Sequence, residues 1–180
     1  LYVLAVHCGL REGELLGLRW DDLDLETGTL QVRRTLSETR KGPVFEPPKN
    51  GKGRSIKLTK SASEALRGHL ERQLGELDGS GDEYRDQGLV FPSQKGTPMN
   101  ASNLTGRNFK PILKRAELPG IRLHDLRHTC ATLMLCEGVH VKLVQELLGH
   151  ATISITLDTY SHLLPGMGGE AAGAMERIFS

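Results

Sequence analysis

The sequence predicts an α+β fold that is mainly helical and contains one small antiparallel sheet of three strands. Apolar residues recur with helical spacing over most of the chain, whereas apolar and polar residues alternate only between about residues 28 and 58. A chain of 180 residues is long enough to bury one sizeable core. Because the alternating region is short, the sheet must be small compared with the helices.

Helical periodicity is present on both sides of this region. The predicted helices cover about 1–19 with a break at Cys8-Gly9, 60–78, 102–116, 124–136, 140–148 and 152–163. The inward face of the helix over 60–78 is predicted to carry Ala62, Ala65, Leu66, Leu70, Leu74 and Leu77. A connector with Gly, Asp and Pro covers about 79–101. A glycine-rich linker, Pro165 to Gly169, leads to a short tail helix from Glu170 to Phe179.

Three stretches have the pattern of β-strands. Residues 28–36 alternate apolar and polar side chains, as expected for a strand with one buried face. Two shorter candidates, Val44–Glu46 and Arg54–Leu58, flank Asn50-Gly51, and Asn-Gly between extended segments favours a hairpin. We therefore expect the three strands to pair as one antiparallel sheet.

The composition, with 38% hydrophobic and 25% charged residues, is typical of a globular protein. The sequence has no apolar run of the ~18 residues that a membrane helix needs, and it has no secretory signal at its start. The three cysteines, Cys8, Cys130 and Cys136, are not spaced as C-x-x-C, so we expect reduced thiols in a cytoplasmic protein. Since Leu1 begins directly in apolar sequence, we expect a piece of a longer protein.

Charge is distributed unevenly along the chain. Residues 31–60 carry nine basic and two acidic groups, a net charge of +7, whereas residues 61–90 carry three basic and seven acidic groups, a net of −4. A basic stretch of this kind suits a polyanion such as DNA. It is equally typical of a solvated hairpin in a charged protein.

Four motifs with chemically active side chains occur in order along the chain. They are Gly9-Leu10-Arg11-Glu12-Gly13-Glu14-Leu15, His124-Asp125-Leu126-Arg127-His128, Leu147-Leu148-Gly149-His150 and Leu157-Asp158-Thr159-Tyr160-Ser161-His162. Each motif alone is weak, because such short strings occur in many helices. Taken together, they resemble the tyrosine recombinases (the phage integrase family) over nearly the whole chain.

This resemblance implies a tyrosine recombinase catalytic domain over residues 1–164, with the core-binding domain that usually precedes it absent from this chain. The implied catalytic residues are Arg11, Lys49, His124, Arg127, His150 and Tyr160, with Glu14 supporting Arg11 or a histidine. It also implies double-stranded DNA as the partner, a tetramer on DNA from a domain that is a monomer alone, and no cofactor. Residues 165–180 would be a linker and tail that either dock onto a neighbouring subunit or fray. The wording of the last motif looks most like integrases of mobile genetic elements.

The chemistry of these residues suits attack on a phosphodiester. Arg11 and Arg127 remain charged at any working pH and can clamp the phosphate oxygens on which negative charge accumulates. Tyr160 would be the nucleophile, with His124 as the candidate base, and would form a 3′-phosphotyrosyl bond. Because that bond conserves the energy of the broken linkage, a 5′-hydroxyl can reverse the step.

The leaving oxygen needs a proton, for which two lysines compete. The family places its lysine between the second and third strands, often as K-x-x-K-x-R, and matching residues 49–54 to this pattern favours Lys49 over Lys52. Lys52 and Arg54 are then predicted to contact DNA phosphates or to be solvated.

Three alternatives remain. A type IB topoisomerase would share the fold and the tyrosine chemistry, although the histidine at 124 and the Leu-Gly-His motif favour a recombinase. Residues 141–156 also resemble a helix-turn-helix of a non-catalytic regulator, but its second helix has no Lys, Arg, Asn or Gln to contact bases. A zinc pair at His124 and His128 lacks the accompanying ligand motif.

Overall fold

The computed structural model describes residues 1–49, 51–79, 84–163, 173 and 175–179. The helices are α1 Tyr2–Cys8, α2 Glu12–Leu16, α3 Lys60–Asp78, α4 Ala101–Asn103, α5 Lys110–Arg115, α6 Asp125–Cys136, α7 Val141–Leu148 and α8 Ile153–Tyr160. The strands are β1 Leu23–Asp24, β2 Thr29–Val32, β3 Thr35–Thr39, β4 Gly42–Glu46 and β5 Arg54–Lys57. The predicted α+β class, mainly helical with a small antiparallel sheet, is confirmed.

The strands of the described residues form two sheets, so the predicted arrangement in one sheet is wrong in detail. β2 pairs antiparallel with both β1 and β5, and β3 pairs only with β4. The predicted strand over 28–36 divides at Arg33-Arg34. There Nη1 of Arg34 lies 2.5 Å from a carboxylate oxygen of the buried Asp22, and Nη1 of Arg33 lies 3.7 Å from the other oxygen. The two arginines that pair with Asp22 thus lie where the chain passes from the first sheet to the second.

The core has three parts. The largest joins α1, β2, β5 and α3, where Leu30, Ile56 and Ala62 are fully buried. A second packs α2 and β3 against the segment that contains α4 and α5. The third joins α6, α7 and α8 and includes Tyr160. The third part therefore sets the position of the proposed nucleophile.

The inward face of α3 differs from the predicted stripe. Ala62 and Leu66 are buried, but Leu74 is 53% exposed and Gln73 is buried instead. The Gln73 amide accepts a hydrogen bond from the Trp20 indole nitrogen (3.1 Å) and donates to the Leu89 carbonyl (3.0 Å). A buried indole N–H and a buried carbonyl need partners, and Gln73 serves both.

The helix predicted over 102–116 is present but is interrupted. A π-helical turn, Leu104–Phe109, separates α4 from α5. Helical spacing in the sequence predicts that Phe109, Ile112, Leu113 and Ala116 face inward. Phe109 and Leu113 are buried, whereas Ala116 is exposed. The interruption does not change which face packs inward.

The last three predicted helices correspond to α6, α7 and α8, the last continued by a single 3₁₀ turn, Ser161–Leu163. α7 ends at Gly149, whose φ of 63° lies in the left-handed region. The predicted linker, Pro165 to Gly169, lies outside the described residues, as do Glu170, Ala171 and Ala172 of the predicted tail helix. Residues 175–179 are helical and exposed. Among the described residues, no helix is both long enough and apolar enough to cross a membrane.

Candidate active site

The centre of the site is the turn that ends α7. Three successive carbonyls of this turn each accept a hydrogen bond from a different arginine. Leu147 O accepts from Nε of Arg54 (2.7 Å), Leu148 O from Nη2 of Arg127 (2.7 Å) and Gly149 O from Nη2 of Arg11 (3.2 Å). The last carbonyls of a helix have no partner within it, so they attract cations. The turn thereby joins three segments that are distant in sequence.

Arg127 is the most deeply buried of these cations. It projects from the first turn of α6, is 3% exposed, and also donates from Nη1 to Gly9 O (2.6 Å). Burial, and then the positive charge of Arg11, lowers the pKa of Arg127 to about 10, so it remains a cation at neutral pH. Its other N–H groups are those with which it could bind a phosphate.

Arg11 precedes the first residue of α2, and Glu14 holds it. The Glu14 carboxylate accepts from the Arg11 backbone N–H (2.9 Å) and from Nη1 of Arg11 (2.8 Å), so it caps a free N–H at the start of α2 and fixes the side chain of Arg11. Burial alone would raise the pKa of Glu14, but hydrogen bonds from Arg54, together with Arg11, lower it to about 2. Glu14 is therefore ionised at neutral pH and pairs with the Arg11 guanidinium.

An open cleft of about 410 Å³ brings together three of the predicted residues, Arg11, Lys49 and His124. Lys49 lies in the turn after β4, and His124 immediately precedes α6. Burial, and then the charges of His128 and Arg127, lowers the pKa of His124, which favours the neutral imidazole. A neutral imidazole can accept a proton.

His150 follows Gly149 directly, and its Nδ1 lies 2.9 Å from Oγ1 of the buried Thr156. Burial lowers the pKa of His150 to about 4, with further contributions from Arg127, Arg11 and Arg54. His150 directly follows the three residues whose carbonyls accept hydrogen bonds from Arg54, Arg127 and Arg11. The structure thus brings Arg11, Arg127 and His150 to one place.

Tyr160 ends α8 and is 4% exposed, so it points into the core rather than into the cleft. Its hydroxyl lies 2.7 Å from Nδ1 of His128. Burial raises the pKa of Tyr160, and the nearby charge of Arg127 partly offsets this effect. The predicted nucleophile is therefore adjacent to the cations but is held away from solvent.

His128 is a residue whose contact the sequence reasoning missed. From the sequence alone, His128 is interpreted as a structural histidine that satisfies a backbone group. Its partner is instead the Tyr160 hydroxyl, and its ring meets that of His124 edge to face at 5.0 Å. The spacing of His124 and His128, one helical turn apart, is the signal that places both on one face.

Arg54 is not solvated, so that part of the expectation is wrong. Its side chain is 11% exposed and donates to both oxygens of Glu14, at 2.9 and 2.8 Å. A guanidinium paired with a buried carboxylate is drawn into the protein rather than towards solvent. Lys52, the other residue predicted to contact DNA, is exposed.

Within the described residues, no group of three or more His, Cys, Asp or Glu side chains is placed to hold a metal ion. Cys8 and Cys130 are buried free thiols, and Cys136 is an exposed one. The zinc alternative at His124 and His128 therefore has no further ligands in this part of the chain.

Known proteins resemble this chain over most of its length. A XerC-like tyrosine recombinase of Caldanaerobacter subterraneus subsp. tengcongensis is 36% identical over 192 aligned residues, which cover 99% of this chain and 49% of the relative. The ICEBs1 integrase of Bacillus subtilis is 29% identical and covers 98% of this chain and 48% of the relative. The chain thus spans about half the length of these curated relatives.

Solved structures agree in fold. The Tn1549 transposon integrase, in complex with a circular intermediate DNA, superposes with a TM-score of 0.75 at 26% identity, over 98% of this chain and 57% of that one. The XerH site-specific recombinase, bound to a palindromic difH substrate, superposes with a TM-score of 0.64 at 26% identity, over 97% and 44%.

The family comparison covers every motif described above. The model of the phage integrase family matches residues 1–166, which include Arg11, Lys49, Arg127, His150 and Tyr160. Because the match extends over more than half of the sequence, this chain belongs to the phage integrase family.

Proposed function

We propose that this chain is the catalytic part of a site-specific DNA recombinase that cleaves and rejoins DNA through a covalent 3′-phosphotyrosyl intermediate. The observation that carries the proposal is the convergence of Arg11 and Arg127 on one helix-ending turn, beside His150 and next to the cleft of Lys49 and His124. Cations from three separate segments, Arg11, Lys49 and Arg127, together with two neutral imidazoles, suit a phosphodiester.

In this proposal, the two arginines bind the non-bridging oxygens of the scissile phosphate. Arg11 is part of the cleft wall, and Arg127 is held by Gly9 O and Leu148 O, so its guanidinium is fixed before DNA arrives. Such preorganised donors stabilise charge in the transition state, and losing one typically costs ~10²–10³ in rate. His150, neutral at pH 7, adds a hydrogen bond to the same phosphate.

The covalent step consists of one attack and two proton transfers. The Tyr160 oxygen attacks phosphorus and gives its proton to His124, the P–O5′ bond breaks, and Lys49 protonates the leaving 5′-oxygen. The reverse attack by a 5′-hydroxyl of another strand releases Tyr160 and completes the exchange. No ATP is needed because the phosphotyrosyl linkage conserves the bond energy.

Tyr160 must move before it can attack. It is buried against His128, whereas the phosphate would occupy the cleft. α8 is short and is joined to α7 by residues 149–152, so a shift of this helix can deliver the phenol without unfolding α6. We propose that DNA, or a second subunit, triggers that shift.

The relatives suggest the partners and the setting. Structures of the Tn1549 integrase and XerH contain DNA, and we propose double-stranded DNA as the partner here. We further propose a cytoplasmic protein of a mobile genetic element that assembles as a tetramer on DNA. The core-binding domain typical of the family would complete the clamp, and the tail after residue 164 would either dock onto a neighbouring subunit or fray.

The test uses nicked suicide duplexes built from the DNA that flanks the gene. We expect a covalent protein–DNA adduct that survives denaturation, is lost in Tyr160→Phe and needs no added metal. Tyr84→Phe, which changes another tyrosine, is the matched control and should keep the adduct. If no adduct forms on any flanking duplex, the chain is not a recombinase, and the regulator alternative gains support.

A topoisomerase would form the same adduct, so a second assay separates the two activities. We expect strand exchange between two duplexes that carry the target site. Relaxation of supercoiled plasmid without exchange between partner duplexes would favour the type IB topoisomerase instead.

A further inference from the structure

Arg54 has no role in the mechanism above, yet it is among the most constrained cations of the site. It begins β5, five residues after Lys49. Its two terminal nitrogens pair with both oxygens of Glu14, and its Nε donates to Leu147 O, which makes three hydrogen bonds in all. A guanidinium has five N–H donors, so most of them are used inside the protein.

Glu14 transmits this constraint to Arg11. The carboxylate is 3% exposed and lies between the two guanidiniums, accepting from Arg54 on one side and from Arg11 on the other. A buried carboxylate would tend to take up a proton, and the hydrogen bonds from Arg54 are the first of the effects that keep its pKa low. Arg54 therefore maintains the charge that orients Arg11.

The same guanidinium of Arg54 also packs against the turn that ends α7. A Cβ at Gly149 would lie 3.0 Å from Nη1 and 3.1 Å from Cδ of Arg54. Gly149 also has a φ of 63°, so glycine meets both a conformational and a steric need here. The turn can therefore lie directly against the guanidinium, where Gly149 O also accepts from Arg11.

We propose that Arg54 is a positioning residue for the cleavage reaction: it orients Arg11 through Glu14 and fixes the strand that leads from Lys49 against the Gly149 turn. The inference rests on the proposed function, because Arg11 matters only if the cleft binds a phosphate. A purely structural Arg54 would support folding without affecting the rate of each folded molecule.

The experiment is a double-mutant cycle with Arg54→Gln, Glu14→Gln and the pair, together with Arg54→Lys. Adduct formation on the suicide duplex is measured at saturating DNA over a range of pH and is normalised to the folded fraction. We expect Arg54→Gln to slow adduct formation by roughly 10²-fold, the scale of a lost oxyanion donor, at unchanged DNA affinity. Arg54→Lys should recover only part of the rate, because lysine cannot form the bidentate pair.

The pH profile identifies the route of the effect. In Arg54→Gln, the effect of burial on Glu14 is no longer offset by Arg54, so the Glu14 pKa rises. As the pH is lowered, Glu14 is therefore protonated earlier, and adduct formation declines at a higher pH than in the unaltered chain. In the Glu14→Gln background, Arg54→Gln should cost little more, because the same link is already broken. Asp22→Asn, which disrupts the pair with Arg34 outside the site, is the matched control and should leave rate and profile unchanged.

Two results overturn the inference. One is an Arg54→Gln chain that has the unaltered rate and pH profile per folded molecule. The other is fully additive losses in the cycle. If Arg54→Gln does not fold, Arg54→Lys decides by the same criteria. If the unaltered chain forms no adduct, the proposed function fails. NMR titration of the Glu14 carboxyl and the Arg11 guanidinium resonance then tests whether Arg54 acts on Arg11 through Glu14. Unchanged signals in the Arg54 variants would reject the link.

Discussion

The hydroxyl of Tyr160 lies 2.7 Å from Nδ1 of His128, and this hydrogen bond holds the proposed nucleophile inside the helical core. His128→Ala leaves a buried hydroxyl without its partner, which typically costs about 1–3 kcal/mol. We expect a loss of unfolding free energy in that range by urea denaturation. In a Tyr160→Phe background the same change should cost less, because no hydroxyl remains to be satisfied. Equal costs in both backgrounds would mean that the hydrogen bond contributes nothing.

Arg127 combines a structural and a chemical role. Its two hydrogen bonds to Gly9 O and Leu148 O are buried. Arg127→Met leaves both carbonyls unsatisfied and should reduce the unfolding free energy by about 1 kcal/mol or more for each of them. Arg11→Met should cost less, since the Arg11 side chain is 28% exposed and bonds to one carbonyl. Urea unfolding of the two variants measures the difference. An Arg11 variant that is less stable than the Arg127 variant would contradict this ranking.

His150 makes the stability of the chain depend on pH. Its pKa is about 4 in the folded chain against an ordinary value of 6.5, so the unfolded chain binds more protons between these values. The contribution of neutral His150 is complete above about pH 6.5 and is lost as the pH falls towards 4. We expect His150→Gln to remove part of this acid sensitivity in denaturation curves measured from pH 7 to pH 4. If the variant and the unaltered chain lose stability equally with falling pH, the effect belongs to other groups such as His124, whose pKa burial also lowers.

The basic stretch of residues 31–60 predicts a strong dependence of DNA binding on salt. Each phosphate contact releases condensed counterions, with a slope of about −0.9 per contact in a plot of log affinity against log salt. We expect the exposed Lys52 to contact one phosphate, so Lys52→Gln should make this slope less steep by about 0.9. Binding of duplex DNA measured between low and moderate salt tests this. An affinity that does not change with salt would contradict the electrostatic account.

Much of the helical part of the fold follows from the spacing of apolar residues in the sequence. The helices α6, α7 and α8 and the left-handed residue at Gly149 follow from apolar periodicity and from glycine at a helix end. These elements carry Arg127, His150 and Tyr160. The helices that carry these residues could therefore be predicted from periodicity, whereas the roles of the residues are implied only by the resemblance to the tyrosine recombinases.

The sheet and the charged contacts could not be predicted, for physical reasons. Alternation continues through Arg33 and Arg34, and nothing local in the sequence shows that both pair with the buried Asp22 at the point where the strand divides. Arg54 reads as a surface residue because its partner, Glu14, is 40 positions away. Long-range pairs between charges leave no local pattern in a sequence.

The burial of Tyr160 was also beyond the sequence. The residues around Tyr160 in the sequence do not show whether its side chain points into the cleft or into the core, because α8 is too short to have a clear apolar face. His128 decides between them in this structure.

The most direct test of the account is to identify the residue that becomes bonded to DNA. The adduct from a suicide duplex is digested with trypsin, and the modified peptide is sequenced by mass spectrometry. We expect the nucleotide on Tyr160, with the yield reduced by Arg11→Lys and abolished by Tyr160→Phe. A nucleotide on Tyr2 or Tyr84, or an adduct that persists in Tyr160→Phe, would contradict the proposed active site.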